Sequence, residues 1–201
     1  VDVEDGDLES VRFIDIDNDK RIDVIRSNGA GVGNNTSVYR SLGSGGYEAL
    51  DDVDQLPVGF ESDRLHLADM NGDGLNDLVR LLDREMSYRL NLGLGHWTSD
   101  IVIQNLPFAG EELERVELED LNNDGLSDLV LVRTDEIVYI LSMNGTSFGA
   151  PVTVTTGDID GELPMRDNAT TVLFADMNGS GSSDVVWIDA QGNVRYLELF
   201  A

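Results

Sequence analysis

Four short segments of this 201-residue chain set oxygen-bearing side chains at alternate positions. They are DIDNDKRID (Asp15 to Asp23), DMNGDGLND (Asp69 to Asp77), DLNNDGLSD (Asp120 to Asp128) and DMNGSGSSD (Asp176 to Asp184). Positions 1, 3, 5 and 9 are Asp15, Asp17, Asp19 and Asp23 in the first loop and Asp69, Asn71, Asp73 and Asp77 in the second. They are Asp120, Asn122, Asp124 and Asp128 in the third and Asp176, Asn178, Ser180 and Asp184 in the fourth. A hard cation such as Ca2+ takes roughly six to eight oxygens at about 2.3–2.6 Å. Alternate side chains converge on one point when the backbone curls round it, and glycine at position 6 permits that turn. The main-chain carbonyl at position 7, borne by Arg21, Leu75, Leu126 and Ser182, would complete the protein ligands whatever the side chain. Without an ion the crowded carboxylates repel one another; with it the loop is pinned and its flanking segments are held in register.

The loops are not equal. The second and third keep Gly74 and Gly125 at position 6, whereas the first has four carboxylates but Lys20 in the glycine place. Charge favours a cation there, while the backbone is expected to be strained or differently turned. The fourth has only Asp176 and Asp184 as acids, so it is expected to be the weakest site or empty. An EF-hand needs a bidentate Glu at position 12 between helices. Position 12 is Arg26, Arg80, Leu131 and Trp187, so that reading fails in every copy. The metal-free alternative is an acidic Asx-turn hairpin.

The loops start 54, 51 and 56 residues apart, a period that points to a propeller or another repeat array. Each is preceded by a short run (Val11–Ile14, Arg64–Ala68, Leu113–Leu118, Thr171–Ala175) and followed by an apolar one from Asp23, Asp77, Asp128 or Asp184. A third run begins at Ser37, Ser87, Ile137 and Asn193, and a fourth is read in three units, as in Trp97–Ile103 and Pro151–Thr155. These runs are β-branched, aromatic and bounded by Gly, Asn and Asp, which makes them strands. The chain is therefore expected to be all-β, a β-propeller of four-stranded antiparallel blades. Residues 1–201 form one propeller region with blades near 11–56, 64–106, 113–156 and 170–201, the last stopping after its third strand. Either Val1–Val3 supplies the missing strand of a four-bladed ring, or the chain is part of a larger propeller; the second is preferred because that run is so short. An uncovered outer edge would invite pairing with another element.

Composition narrows the function. Thirteen Lys+Arg stand against 39 Asp+Glu, a net charge of −26, which repels phosphate backbones and anionic membranes. A hydrophobic fraction of 41% is too high for a disordered acidic chain. No apolar stretch approaches the ~20 residues of a membrane-spanning helix. Cysteine is absent, which removes disulfides and thiolate chemistry, and Lys20 is the single lysine. The same bias suits a salt-loving source. The acidic start Val1-Asp2-Val3-Glu4-Asp5 reads as a mature, excised or inserted segment. Acidic clusters at Asp51-Asp52-x-Asp54, Glu111-Glu112-x-Glu114 and Asp158-x-Asp160-x-Glu162 are expected to be solvated inter-blade loops.

The four loops, with Phe148-Gly149-Ala150-Pro151, resemble FG-GAP and VCBS repeats, the propeller units of integrin α chains and many bacterial surface proteins. The resemblance implies an Asp-rich loop that joins the first two strands of a blade and binds Ca2+. Tyr88–Trp97, Leu67–Gly74 and Val194–Leu199 are more narrowly similar to the propeller of insecticidal toxin-complex B components. That likeness implies a scaffold or gate within a large shell rather than an enzyme.

Catalysis has little to work with. His66 fits a packed strand residue and His96 a turn beside Trp97. No nucleophile elbow, zinc-helix or phosphate-loop motif is present. A calcium-dependent hydrolase of phytase type needs a basic cluster, and the arginines are dispersed. A glycan-binding adhesin or lectin could use Tyr39, Tyr47, Trp97, Tyr139, Trp187 and Tyr196, although strand aromatics usually pack inward. The expectation is a non-catalytic, Ca2+-stabilised propeller, secreted or at the cell surface. Its partners would be other domains or subunits of a larger assembly, with no nucleic acid and no membrane insertion.

Overall fold

The computed structural model describes residues 11–27, 36–57, 64–159, 162–164, 166–167 and 169–200. The closing strand considered at Val1–Val3, Asp160 of the third acidic cluster and Ala201 lie outside them.

The fold is all-β and consists of β-propeller blades, antiparallel throughout. Blade 1 runs β1 (Val11–Ile14), β2 (Asp23–Ser27), β3 (Thr36–Ser41) and β4 (Tyr47–Leu50) in sequence order across the sheet. Blade 2 comprises β5 (Leu65–Ala68), β6 (Asp77–Leu82), β7 (Glu85–Arg89) and β10 (Ile101–Gln104). Between β7 and β10 sits a separate hairpin of β8 (Asn91–Gly93) and β9 (His96–Trp97). The single strand read over Trp97–Ile103 is thus two, because Trp97 pairs back onto Asn91. Blade 3 comprises β11 (Val116–Glu119), β12 (Asp128–Val132), β13 (Glu136–Ile140) and β14 (Val152–Thr155). Leu113, expected in the first strand of that blade, lies instead in a 3-10 helix, Gly110–Arg115, with its side chain buried. Among the described residues blade 4 has three strands, β15 (Thr171–Ala175), β16 (Asp184–Ile188) and β17 (Val194–Leu197).

Burial falls from the middle of a blade to its rim. All five residues of β12 are buried, whereas β4 and β14 are largely exposed. A strand covered on both faces must be apolar at every position, and Asp128-Leu-Val-Leu-Val is apolar after its first residue.

The chain divides into two compact units, residues 1–69 with 73–104, and residues 70–72 with 105–201. In the first, Ile14, Ile25 and Val38 of blade 1 share a core with Leu65 and Leu78 of blade 2. In the second, Val130, Val132 and Tyr139 share one with Val185 and Trp187. Full burial of each such side chain contributes about 1.5–3 kcal/mol. A blade buries these faces only against its neighbour, so each unit stands on a blade pair.

Candidate metal centres

Each acidic loop joins the first and second strands of its blade, and all four describe the same turn. Position 4 is left-handed in every copy: Asn18, Gly72, Asn123 and Gly179, with φ between 58° and 80°. Position 6 is left-handed too, at Lys20 (66°), Gly74 (83°), Gly125 (84°) and Gly181 (94°). Asn and Gly tolerate this region; a side chain such as lysine's is strained there by roughly 1–2 kcal/mol. The first loop is therefore strained, as expected, but not differently turned.

The carboxylate at position 1 organises the curl. Asp15 accepts the N–H groups of Asp19 (3.0 Å) and Lys20 (2.8 Å). Asp120 does the same for Asp124 (3.1 Å) and Gly125 (2.9 Å), and Asp176 for Ser180 and Gly181 (both 2.9 Å). Asp69 accepts from Gly74 at 2.7 Å. At position 5, Asp19, Asp73 and Asp124 each accept the N–H of position 7 (Arg21, Leu75, Leu126) at 2.8–2.9 Å. In the fourth loop Ser180 Oγ takes that place for Ser182 at 3.4 Å. These are Asx-type turns, so the expected local geometry is present whether or not an ion binds.

Position 9 has a second task that spacing alone did not reveal. Asp23, Asp77, Asp128 and Asp184 are fully buried. One oxygen of Asp23, Asp128 and Asp184 accepts the N–H of loop position 2, from Ile16 (3.0 Å), Leu121 (3.1 Å) and Met177 (3.0 Å) respectively. The other oxygen reaches the end of the third strand at the N–H of Ser41 for Asp23, or just beyond it at that of Ser142 for Asp128, both at 2.7 Å. Asp77 likewise accepts from Asn91 at 2.7 Å. Those three acceptor-bound residues each pair with an aromatic six positions on: Ser41 with Tyr47, Asn91 with Trp97, Ser142 with Phe148. One carboxylate thus ties the acidic loop to the turn between strands three and four. In blade 4 the Asp184 Oδ1 atom is buried without a hydrogen-bond partner.

Burial pushes Asp128 up to about 6; its bonds from Ser142 and Leu121 pull the other way, and Asp124 and Asp120 add repulsion. Burial also raises Asp184, reinforced by Glu198 and Asp176. A cation beside these groups relieves both effects. Each carboxylate oxygen that accepts one N–H keeps a second lone pair, so the ties leave coordination capacity. The donor set, all oxygen, suits a hard ion. In the first loop, oxygens of Asp15, Asp17 and Asp19 lie within 4.8 Å of one another. Asp23 is not among them; it is buried and engaged by backbone. In the second and third loops Asp73 and Asp124 are exposed at the rim, while Asn71 and Asn122 hold position 3.

The remaining candidates separate by burial. His66 lies on β5 with Nε2 buried and without a hydrogen-bond partner, and desolvation lowers its pKa. Its neutral form is favoured in the folded state, so its contribution is complete above about 6.5 and is lost as pH falls below that. His66→Gln is expected to flatten the loss of melting temperature between about pH 7.5 and 5.5; a loss identical to that of the unmodified chain would refute a buried neutral imidazole. His96 is more exposed, 3.6 Å from Asp54. Trp97, Tyr139 and Trp187 are buried, whereas Tyr47 and Tyr196 are exposed at 47% and 48%. The described residues of the acidic clusters are exposed, as expected, except the half-buried Glu112, and some of them are also engaged. Asp54 accepts the Trp97 N–H at 2.9 Å, Glu112 grips the Arg133 guanidinium at 2.9 and 3.1 Å, and Asp158 accepts from Thr155 at 2.8 Å.

Residues 120–187, which run from the third acidic loop through the fourth and into β16, match the FG-GAP-like repeat family. The match spans 68 of the 201 residues. The Asp120 and Asp176 loops and their buried Asp128 and Asp184 fall within it. No curated protein sequence matches the chain. Among solved structures, the Tc holotoxin pore of Photorhabdus luminescens is similar over 93% of this chain and 9% of its own, at 18% identity and a TM-score of 0.71. An Agrocybe aegerita lectin, described as recognising non-reducing terminal N-acetylglucosamine, is similar over 96% and 50%, at 21% identity and 0.70. TcdB2–TccC3 without its hypervariable C-terminal region is similar over 82% and 8%, at 22% identity and 0.61. At these identities the likeness is one of fold. The chain spans about half of the lectin and under a tenth of the toxin chains.

Proposed function

We propose that this chain is a calcium-stabilised, non-catalytic propeller region that serves as scaffold or interaction module of a larger secreted, toxin-related protein. The observation that carries the reading is the fourfold turn itself. Each loop presents side-chain oxygens at positions 1, 3 and 5 and buries its position-9 carboxylate, which in blades 1 and 3 ties two turns of the blade together. An ion held there by Asp69, Asn71, Asp73 and Asp77, or by Asp120, Asn122, Asp124 and Asp128, with the carbonyls of Leu75 and Leu126, would supply positive charge where the fold concentrates negative. The first and fourth loops offer Asp15, Asp17, Asp19, Asp23 and Arg21, and Asp176, Asn178, Ser180, Ser182 and Asp184. Similarity of fold to Tc toxin chains supports the scaffold role and an extracellular setting. Among the described residues no helix is long and apolar enough to cross a membrane. Isothermal titration of Ca2+ into chelator-stripped protein is expected to show saturable binding that the double substitution Asp73→Asn with Asp124→Asn largely abolishes. Heat evolution too weak to saturate at millimolar ion would defeat the reading.

A glycan-binding reading has one observation in its favour besides the lectin-like fold. The second unit holds a cavity of about 190 Å³ lined by Pro164, Asp167, Thr170, Trp187, Asp189, Asn193 and Arg195. An indole among amide, carboxylate and guanidinium groups is a sugar-compatible lining. On a glycan array the scaffold reading expects no reproducible signal; a signal removed by Asn193→Ala would replace it with the lectin reading.

A further inference from the structure

In the first loop the same side chains that converge as a metal trio are already met by guanidinium groups. Arg40, on β3, places Nε 2.5 Å from Asp17 Oδ2 and Nη2 3.5 Å from Asp19 Oδ2. Arg21 pairs with Asp19 as well. Asp17 is largely covered, its side chain 12% exposed, and Arg40 is 33% exposed. A guanidinium is always charged and meets carboxylates through a planar fork of donors, so it holds two such groups in fixed geometry.

Strand register shows that this arrangement is particular to blade 1. Val24, next after the position-9 aspartate, pairs with Tyr39, and Arg40 is the following residue. The same register pairs Leu78 with Arg89, Leu129 with Ile140 and Val185 with Leu197. The places equivalent to Arg40 are therefore Leu90, Leu141 and Glu198. The first loop also carries Lys20 and Arg21 within it, whereas the other three contain neither Lys nor Arg. Leucine brings no charge to the second and third loops, and glutamate adds a negative one beside the fourth.

We infer that Arg40 is a tethered counter-cation that occupies the first loop in place of a metal ion, so that blade 1 keeps its hairpin without calcium. An ion entering this loop must displace the guanidinium from Asp17 and Asp19 and bear its repulsion. Of the four loops, the one richest in carboxylates is thereby the least available to calcium. A device of this kind makes one blade of the chain indifferent to ion concentration while the neighbouring loops respond to it. The contrast with the other loops rests on the calcium reading above; the role of Arg40 rests on its own ion pairs.

The two are separable by experiment. In calcium titrations, Asp17→Asn is expected to leave the number of bound ions unchanged and Arg40→Gln to raise it by one. In chelator, Arg40→Gln is expected to lower the melting midpoint by about 2–6 °C, with added Ca2+ restoring it. The double variant Arg40→Gln with Asp17→Asn should lose less than the two single losses combined, because the partners share one interaction. Loss of one bound ion in Asp17→Asn overturns the inference and leaves the calcium reading standing. If no form binds calcium, the calcium reading fails alone. The chelator cycle then still decides: coupled losses uphold Arg40 as counter-cation, additive ones overturn it.

Discussion

Replacing Asp128 by alanine is expected to be among the most damaging single changes in the acidic loops, even with no calcium present. Its two oxygens accept the N–H groups of Leu121 and Ser142, and the side chain is fully buried. Alanine leaves both donors without that acceptor inside the fold, at about 1–3 kcal/mol each. A total near 3–5 kcal/mol corresponds to a fall of roughly 8–16 °C in the melting midpoint for a chain of this size. Asp128→Asn keeps one acceptor and turns an amide N–H towards the other donor, so its loss should be intermediate. The comparison is Asp124→Ala, at the exposed rim of the same loop. In chelator its effect should stay within about 1 kcal/mol, since it gives up only exposed bonds, from the Leu126 N–H and the Asn122 amide. Melting curves of the three variants in chelator check this directly. Equal, small losses in Asp128→Ala and Asp124→Ala would mean that the buried carboxylate does not tie the blade.

Calcium itself is expected to have the second large effect. An ion that binds only the folded chain stabilises it by RT ln(1 + [L]/Kd), about 2.7 kcal/mol per site at a hundredfold excess over Kd. Two occupied loops, the second and third, would contribute about 5 kcal/mol and raise the midpoint by roughly 10–20 °C between chelator and saturating ion. The physical source is visible at Asp128, which burial and the neighbouring Asp120 and Asp124 push up to about 6. A divalent ion converts that repulsion into attraction. Asp73→Asn with Asp124→Asn should erase most of the difference while changing the chelator midpoint little. A midpoint unmoved by millimolar calcium in the unmodified chain would count decisively against saturable sites. High monovalent salt is the control, because simple screening of a chain with net charge −26 also stabilises it.

These two experiments divide the roles of one motif. Outside the first loop, positions 1, 3 and 5 shape the turn itself, so their chemistry is local. Position 9 faces inward, so its chemistry is that of the blade. The spacing treats all four as equivalent ligands. Burial separates them, because a carboxylate enclosed by strands must satisfy its lone pairs with donors from elsewhere in the sheet.

What could be read from residue order alone is what is decided within about ten residues. Loop positions 15–23, 69–77, 120–128 and 176–184 announce themselves because an Asx turn uses side chains only two to five places from the N–H groups they bind. Strands around them announce themselves by β-branched and aromatic runs bounded by Gly, Asn and Asp. Left-handed position 4 was equally local, marked by Asn or Gly in all four copies. The hairpin of Asn91–Gly93 and His96–Trp97 was not legible as such, since Trp97 suits either a continuing strand or a return onto Asn91. The tertiary structure alone decided that Asp23 reaches Ser41 across 18 residues, that Asp128 reaches Ser142 across 14, and that Arg40 meets Asp17 across 23. Those contacts depend on the register of the second strand against the third. A shift of one residue there would turn Arg40 away from the loop and carry every strand side chain to the opposite face.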